Sequence, residues 1–325
     1  MKRLLADNEK TLGVFALVLL VLVVTGMREN AFVQPGNLAN MSKWIGLYGI
    51  LAVGVAFVII TGGIDLSIGS LIGLSGVLLP MLSREQGLPV GVGILVVLSV
   101  GAAIGLFHGL LITKLRLQPF LVTLCGLFIY RGIARSVAND ESKGFGNTFG
   151  GLKEALAGKL FGWLPMPLVI LIAISIVAAI FLNKTVWGRY LLALGRNEEA
   201  ARFSGVEVEK MKIVAYVICS TLAALGGILF VLENNAATPS TFGNFYELYA
   251  IAGAVLGGCS LRGGEGAILG VIGGTALVQV SSDAVFFLGV PSTFKFTVIG
   301  GFILAGVIID EFLRRYHERR RAARQ

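Results

Sequence analysis

The chain has 325 residues, of which 55% are hydrophobic and only 14% are charged. Soluble domains carry about 25% charged residues, so this sequence lacks the charge to cover the surface of a water-soluble globule. The 44 glycines also exceed the roughly 7% of a soluble protein, as is common in transmembrane helices. The composition therefore excludes a disordered chain, a fibrous repeat, a secreted disulfide scaffold and a soluble enzyme. It predicts an all-α, polytopic integral membrane protein.

Ten apolar runs follow one another along the chain, and several are shorter than the roughly 20 residues that a bilayer-crossing helix needs. We expect a single transmembrane domain over residues 1–325, with about ten helices. The first run follows a charged start without a small-residue cleavage site, so it is expected to stay as the first helix. The runs cover residues 12–27, 44–61, 66–82, 90–113, 119–135, 164–182, 213–232, 246–261, 267–280 and 293–309.

Ten spans place both termini on one side of the membrane. Two thirds of the 27 Lys and Arg residues fall on that side, which predicts that it is cytoplasmic. The net charge of +8 and the basic tail at 314–325 are interpreted as anchors at the lipid headgroups rather than as nucleic-acid contacts. The loops on this side are expected near 62–65, 114–118, 184–212 and 259–266.

Two glycine-rich segments, GGIDLSIGS at 62–70 and GGCSLRGGE at 257–265, resemble each other. Six spans separate them, so both face the same way, as in a parallel internal pseudo-repeat. Such breaks at corresponding places indicate a transport pathway, because free backbone groups are tolerated only inside protein or beside a water-filled cavity. The alternative is that these glycines allow close packing of helices, and this interpretation is compatible with a transport pathway. The matched glycines are Gly62 with Gly257, Gly63 with Gly258 and Gly69 with Gly264.

Asp65 lies between two apolar runs, where a carboxylate at mid-membrane would cost about 2.5–3.5 kcal/mol. We expect it to cap the helix that starts near Leu66, by accepting hydrogen bonds from the free N–H groups there. A proton or ion site is the alternative, but the sequence shows no second buried carboxylate or histidine beside Asp65. His108 stands alone in its run and is interpreted as a hydrogen-bonded packing residue.

The polar loop at 184–212 is predicted to contain a short helix over 198–204. Asn197 is a good N-cap, the two glutamates after it complement the helix dipole, and Gly205 is placed to end the helix. A helix of two turns is marginal alone in water, so we expect it to dock onto a partner. Its alternative position is at the lipid headgroups.

Three motifs carry a resemblance to a known family: FVIITGGIDLSIGSLIGLSG at 57–76, ALGRNEEAARFSGV at 193–206 and AVLGGCSLRGGEGAILGVIGG at 254–274. They resemble the permease subunits of bacterial ATP-binding-cassette importers for ribose, xylose, arabinose and galactosides, and the galactofuranose permeases in particular. The resemblance covers most of the chain and is weakest at the first span and the basic tail. Arg262 and Glu265 depart from the neutral residues of many relatives.

The resemblance implies a multi-pass subunit of the bacterial inner membrane that works by alternating access. It implies a second permease, identical or paralogous, ATPase subunits that hold ATP and Mg, and a periplasmic sugar-binding protein. The residues implied to couple to the ATPase are Gly195, Asn197, Glu198, Glu199, Ala200, Ala201 and Gly205. Those implied to lie near the pathway are Gly62, Gly63, Asp65, Ser67, Gly69, Gly257, Gly258, Arg262 and Gly264.

Missing motifs agree with a non-catalytic subunit. No G-x-x-x-x-G-K-[ST] occurs, so ATP is expected on a partner, and no metal-binding or catalytic cluster stands out. The outer segment 137–163 has a possible helix at 152–161 and is expected to receive the binding protein, with a plain connecting loop as the alternative. Candidate polar contacts for the sugar are Ser67, Ser70, Ser75, Thr123, Asn234 and Asn235.

Three other functions remain possible from the sequence. An ion-coupled secondary transporter would need paired intramembrane charges, for which Asp65 and His108 are the obvious candidates. A membrane-embedded enzyme would need an acidic or metal-binding cluster at one interface. The sequence does not clearly distinguish a sugar permease from a related permease for branched-chain amino acids or nucleosides. The shared motifs are expected to serve movement and not to contact the substrate.

Overall fold

A computed structural model describes residues 2–294 and the single positions 297, 300, 301, 304 and 308. Within these residues the chain is almost entirely helical. The helices are α1 Lys2–Arg28, α2 Pro35–Ile60, α3 Ile68–Pro80, α4 Val90–Thr113, α5 Pro119–Val137, α6 Gly150–Ala157, α7 Met166–Lys184, α8 Val186–Arg196, α9 Glu198–Phe203, α10 Val208–Asn234, α11 Tyr246–Leu256 and α12 Ile268–Phe287. Four two-residue strands are β1 Lys143–Gly144, β2 Lys159–Leu160, β3 Leu164–Pro165 and β4 Ala236–Ala237.

Seven helices of the described residues are long and apolar enough to cross a membrane, namely α1, α2, α4, α5, α7, α10 and α12. One predicted span is much shorter than its apolar run. The run at 246–261 holds α11, of 11 residues, whereas the run at 66–82 holds α3, of 13 residues, and the π-helical turn Met81–Glu85 that continues it. The predicted span at 293–309 falls largely outside the described residues. The chain is therefore an integral membrane protein that combines full-length spans with short internal helices.

Helix α2 is the centre of the bundle and packs against α7, α10, α11 and α12. Its most apolar window is 83% buried, which is expected for a helix that is hydrophobic on all sides. In α1 the corresponding window is only 6% buried, and α1 packs mainly on α12. The exposed leucines and valines of α1 thus form an outer surface suited to lipid.

Helices α2 and α3 are separated by an unwound segment at 61–67. The side chain of Asp65 accepts hydrogen bonds from the backbone N–H of Ser67 at 2.9 Å and from the Ser67 hydroxyl at 2.7 Å. Asp65 thus bonds to Ser67, the residue before the helix, while the helix begins at Ile68 rather than near Leu66 and its first turn has no side-chain cap. The second glycine-rich motif likewise forms a break, between α11 and α12.

The outer segment 137–163 is tied to the end of the bundle. Strand β1 pairs with β4 in antiparallel register, and Arg84 donates a hydrogen bond of 2.9 Å to the carbonyl oxygen of Gly144. The carboxylates of Glu85 and Glu141 both lie 3.1 Å from the ammonium of Lys143 and raise its pKa. The helix of this outer segment, α6, covers 150–157, a little earlier than the predicted 152–161.

Candidate functional site

The two glycine-rich motifs and the polar loop at 184–212 meet at one point. The backbone N–H of Gly264 donates a hydrogen bond of 2.8 Å to the carbonyl oxygen of Ile60, the last residue of α2. A Cβ atom added at Gly195 would overlap that same oxygen and the backbone of Gly264. One added at Gly263 would lie 2.8 Å from both the Gly195 carbonyl oxygen and the Gly62 nitrogen. We call these four glycines, 62, 195, 263 and 264, the glycine junction.

Backbone conformation explains why glycine occupies this junction. Gly62 has a φ of +77° and Gly264 a φ of +75°, in the left-handed region that side chains rarely adopt. At Gly195, which lies inside α8, the requirement is close approach rather than an unusual φ, because no room exists for a side chain. The junction therefore brings the ends of two broken helices into backbone contact with the helix that precedes the predicted docking segment.

The remaining motif residues surround this junction. Arg196 donates a hydrogen bond of 3.4 Å from Nε to the Gly264 carbonyl oxygen. The backbone N–H of Arg262 donates to the Ser260 hydroxyl at 3.4 Å, within the turn between α11 and α12. Gly257 lies against the backbone of Gly270, so the predicted close packing of helices is present beside the break.

Helix α9 has the local structure that its sequence predicts. The Asn197 side chain accepts a hydrogen bond of 2.9 Å from the backbone N–H of Ala200, and Gly205, with a φ of +83°, follows the end of the helix. Ala201 is buried, which fixes the inner side of the helix. Phe203 is 92% exposed, a large apolar side chain on the outer side. The outer side of α9 is thus suited to contact another protein.

Asp65 is accompanied by a buried histidine, contrary to the sequence interpretation. The Nδ1 atom of His108 lies 4.0 Å from the second carboxylate oxygen of Asp65, and both side chains are almost fully buried. His108 Nε2 and the Tyr130 hydroxyl share a hydrogen bond of 2.7 Å. The expectation that no buried histidine accompanies Asp65 was wrong, because α4 packs beside the unwound segment. Its hydrogen-bonded packing role is present.

Two further charged residues inside the bundle, the half-buried Arg131 and the buried Glu247, were missed from the sequence. Arg131 on α5 donates hydrogen bonds to the carbonyl oxygens of Pro239 at 2.9 Å and Phe242 at 2.6 Å. The Glu247 carboxylate lies against Gly69, where a Cβ would overlap it. An arginine inside an apolar run was the available signal, because charges in such runs are rare. These contacts hold the loop before α11 against α3.

The polar residues predicted to contact a sugar bond mainly to the protein backbone. Ser75 is buried, and its hydroxyl makes no hydrogen bond with a described residue. Four of the other side chains donate hydrogen bonds to backbone carbonyl oxygens, as polar side chains in spans often do. Ser70 donates to Leu127, Thr123 to Pro119, Asn234 to Phe230 and Asn235 to Gly146. Ser67 bonds to Asp65.

Comparison with known proteins gives the family. A family model described as the permease component of the branched-chain amino acid transport system matches residues 37–308. The chain belongs to this permease family. The permease is 36% identical over 308 residues to the ribose import permease protein of Escherichia coli strain K12, which covers 92% of each chain. No solved structure gives a significant match.

Two other relatives are named for different sugars. The permease is 32% identical over 314 residues to the galactose/methyl galactoside import permease protein of Salmonella typhimurium, covering 92% of this chain and 93% of the relative. It is 28% identical over 340 residues to the xylose transport system permease protein of Haemophilus influenzae, covering 87% of this chain and 90% of the relative.

Proposed function

We propose that this permease forms the membrane pathway of an ATP-binding-cassette importer for a monosaccharide. The observation that carries the proposal is the similarity, over about nine tenths of the chain, to relatives named for ribose, galactose and xylose. The family description names branched-chain amino acids instead, so those solutes are the alternative within the same class. Nucleosides are a further alternative from the sequence.

The proposed architecture is one domain of about ten spans with a parallel internal repeat. Support comes from the two glycine-rich motifs, each of which breaks the chain between two helices and contributes to the glycine junction. We place both termini in the cytoplasm and the subunit in the bacterial inner membrane, on the distribution of Lys and Arg.

The proposed partners divide the work of transport. A separate ATPase would hold ATP and Mg and seat α9 in a groove, so that this subunit is not itself catalytic. The exposed Phe203 and the buried Ala201 support this, since they give α9 an outer and an inner side. A second permease would complete the pathway, and a periplasmic binding protein would dock partly on 137–163.

The glycine junction suggests how movement would pass from the ATPase into the membrane. A displacement of α9 would move the end of α8, which carries Gly195. Gly195 lies against the carbonyl of Ile60 and the backbone of Gly264, so both broken helices would respond. Alternating access then follows from a shift of these short helices against the full-length spans.

The test is affinity purification of the tagged permease from native membranes, followed by uptake assays with ribose, xylose, galactose, galactofuranose and leucine. We expect an ATPase subunit to co-purify and one of the sugars to be taken up only when ATP is present. Uptake of leucine alone would support the branched-chain amino acid alternative. An ion gradient that drives uptake by the permease alone would instead support a secondary transporter that uses Asp65 and His108, the pair 4.0 Å apart.

A further inference from the structure

A cavity of about 340 Å³ lies between the turn that joins α4 to α5 and the beginnings of α9 and α10. Charged residues of both parts line it. Arg116 comes from the turn, Arg202 from α9 and Lys212 from α10, and two glutamates, Glu198 and Glu209, lie among them. We call this cavity the basic cleft.

The glutamates of the basic cleft are already paired. Glu198 accepts a hydrogen bond of 2.6 Å from Lys212, and Glu209 accepts one of 2.6 Å from Lys114 at the rim of the cleft. Arg202 forms a longer ion pair, of 3.4 Å, with the same Glu198 carboxylate.

Arg116 makes no hydrogen bond or ion pair with any residue that the structure describes. Three basic groups and two carboxylates thus line one cavity, and Lys114 adds a further positive charge beside Glu209. The excess positive charge favours an anion.

The position of the cleft indicates which anion is at hand. Leu115 and Leu117, on either side of Arg116, are exposed, and so is Phe120 in the first turn of α5. These apolar side chains continue the exposed surfaces of two membrane-spanning helices, so we place them in the lipid and the guanidinium between them at the headgroup level. Basic pockets between transmembrane helices on the cytoplasmic side are known to hold anionic headgroups.

We propose that the basic cleft binds the phosphate of an anionic phospholipid of the cytoplasmic leaflet. The Arg116 and Arg202 guanidinium groups would donate to the phosphate oxygens, for which the planar guanidinium is well suited. Glu198 is the first residue of α9 and lines the cleft, so a bound lipid would help to fix the docking helix. The proposal rests on the orientation and coupling role given under the proposed function.

The experiment compares lipid retention by the purified full-length permease, measured by native mass spectrometry after exchange into detergent micelles that contain phosphatidylglycerol or phosphatidylcholine. We expect retention of phosphatidylglycerol over phosphatidylcholine, and a roughly fivefold loss of that preference in Arg116→Gln, from about 1 kcal/mol per basic residue. Arg116→Lys is expected to keep most of the preference. Arg189→Gln changes an exposed basic residue of α8 outside the cleft and should behave as wild type.

Three results would overturn the proposal. One is an equal loss in Arg116→Gln and Arg189→Gln, which would indicate a general attraction to basic residues. Another is displacement of the lipid from the wild-type permease by inorganic phosphate, at a concentration that does not change lipid retention by Arg116→Lys. This result would indicate a site for the free anion. A loss of ATPase co-purification in Arg116→Gln, with lipid retention unchanged, would assign the cleft to the ATPase. Lipid retention does not depend on the solute carried, so a failure of the importer assignment would leave this result intact.

Discussion

The backbone N–H of Gly264 donates to the carbonyl oxygen of Ile60, and this 2.8 Å bond joins the two glycine-rich motifs of the permease. The Ile60 carbonyl is at the C-terminal end of α2, where helix carbonyls lack intrahelical partners and accept from outside. Gly195 covers the same oxygen from the side of α8. A single backbone contact therefore links the end of the central helix, the second broken helix and the segment that leads to α9.

The first prediction concerns Gly195→Ala. The added methyl group would overlap the Ile60 carbonyl oxygen, so α8 must move away from α2. Forcing extra volume into such a contact costs about 1–3 kcal/mol. We expect sugar uptake to fall at least tenfold while the ATPase still co-purifies. Gly132→Ala is the matched control, since Gly132 also lies in a helix but has open space around its Cβ position. Normal uptake by Gly195→Ala would contradict a coupling role for the junction.

The second prediction concerns the cap of α9. Asn197→Ala removes the acceptor for the Ala200 N–H and should destabilise this six-residue helix by about 1 kcal/mol. We expect weaker ATPase binding, measured by titrating the ATPase onto the purified permease, and an unchanged Tm of the permease alone. Asn197→Asp keeps an acceptor at the same position and should bind as wild type. Equal binding by all three forms would show that α9 is not part of the interface.

The sequence was sufficient for features that depend on neighbouring residues. Helix α9 was predicted over 198–204 and is found over 198–203, because its cap and its stop are both local signals. The hydrogen bonding of Asp65 before α3 is also local, since its partner is Ser67. Long apolar spans such as α4 were placed closely for the same reason: length and hydropathy suffice.

Features that depend on packing between distant helices were not predictable in this way. The run at 246–261 remains apolar through the break that follows Leu256, so composition overestimated the length of α11. His108 approaches Asp65 only because α4 packs beside the unwound segment. The contact between Gly195 and Gly264 was likewise not predicted, although the sequence had indicated each residue separately as a candidate.

The third prediction concerns Arg131, which bonds to the carbonyl oxygens of Pro239 and Phe242. Lysine has no planar fork, so Arg131→Lys is expected to lose at least one of these bonds and about 2 kcal/mol of stability. The Tm in detergent should fall, and protease should cut more readily within 238–245. Arg135→Lys is the control one turn along α5, since its pair with Asp140 is exposed and contributes little. Equal effects of the two variants would contradict the structural role of Arg131.

The last prediction concerns the buried hydrogen bond between His108 and Tyr130. Tyr130→Phe leaves Nε2 of the buried imidazole without its partner, and His108→Leu does the same to the Tyr130 hydroxyl, so each should cost about 1–3 kcal/mol. In the double variant neither polar group is left unpaired, so its destabilisation should be smaller than the sum by about 0.5–3 kcal/mol. The free energies come from denaturant unfolding in detergent. Additive costs would mean that the two side chains do not share this bond. Uptake by the same variants under an ion gradient distinguishes a structural role of these residues from a role in ion coupling. In the ion-coupling case the variants would lose gradient-driven transport without a loss of stability.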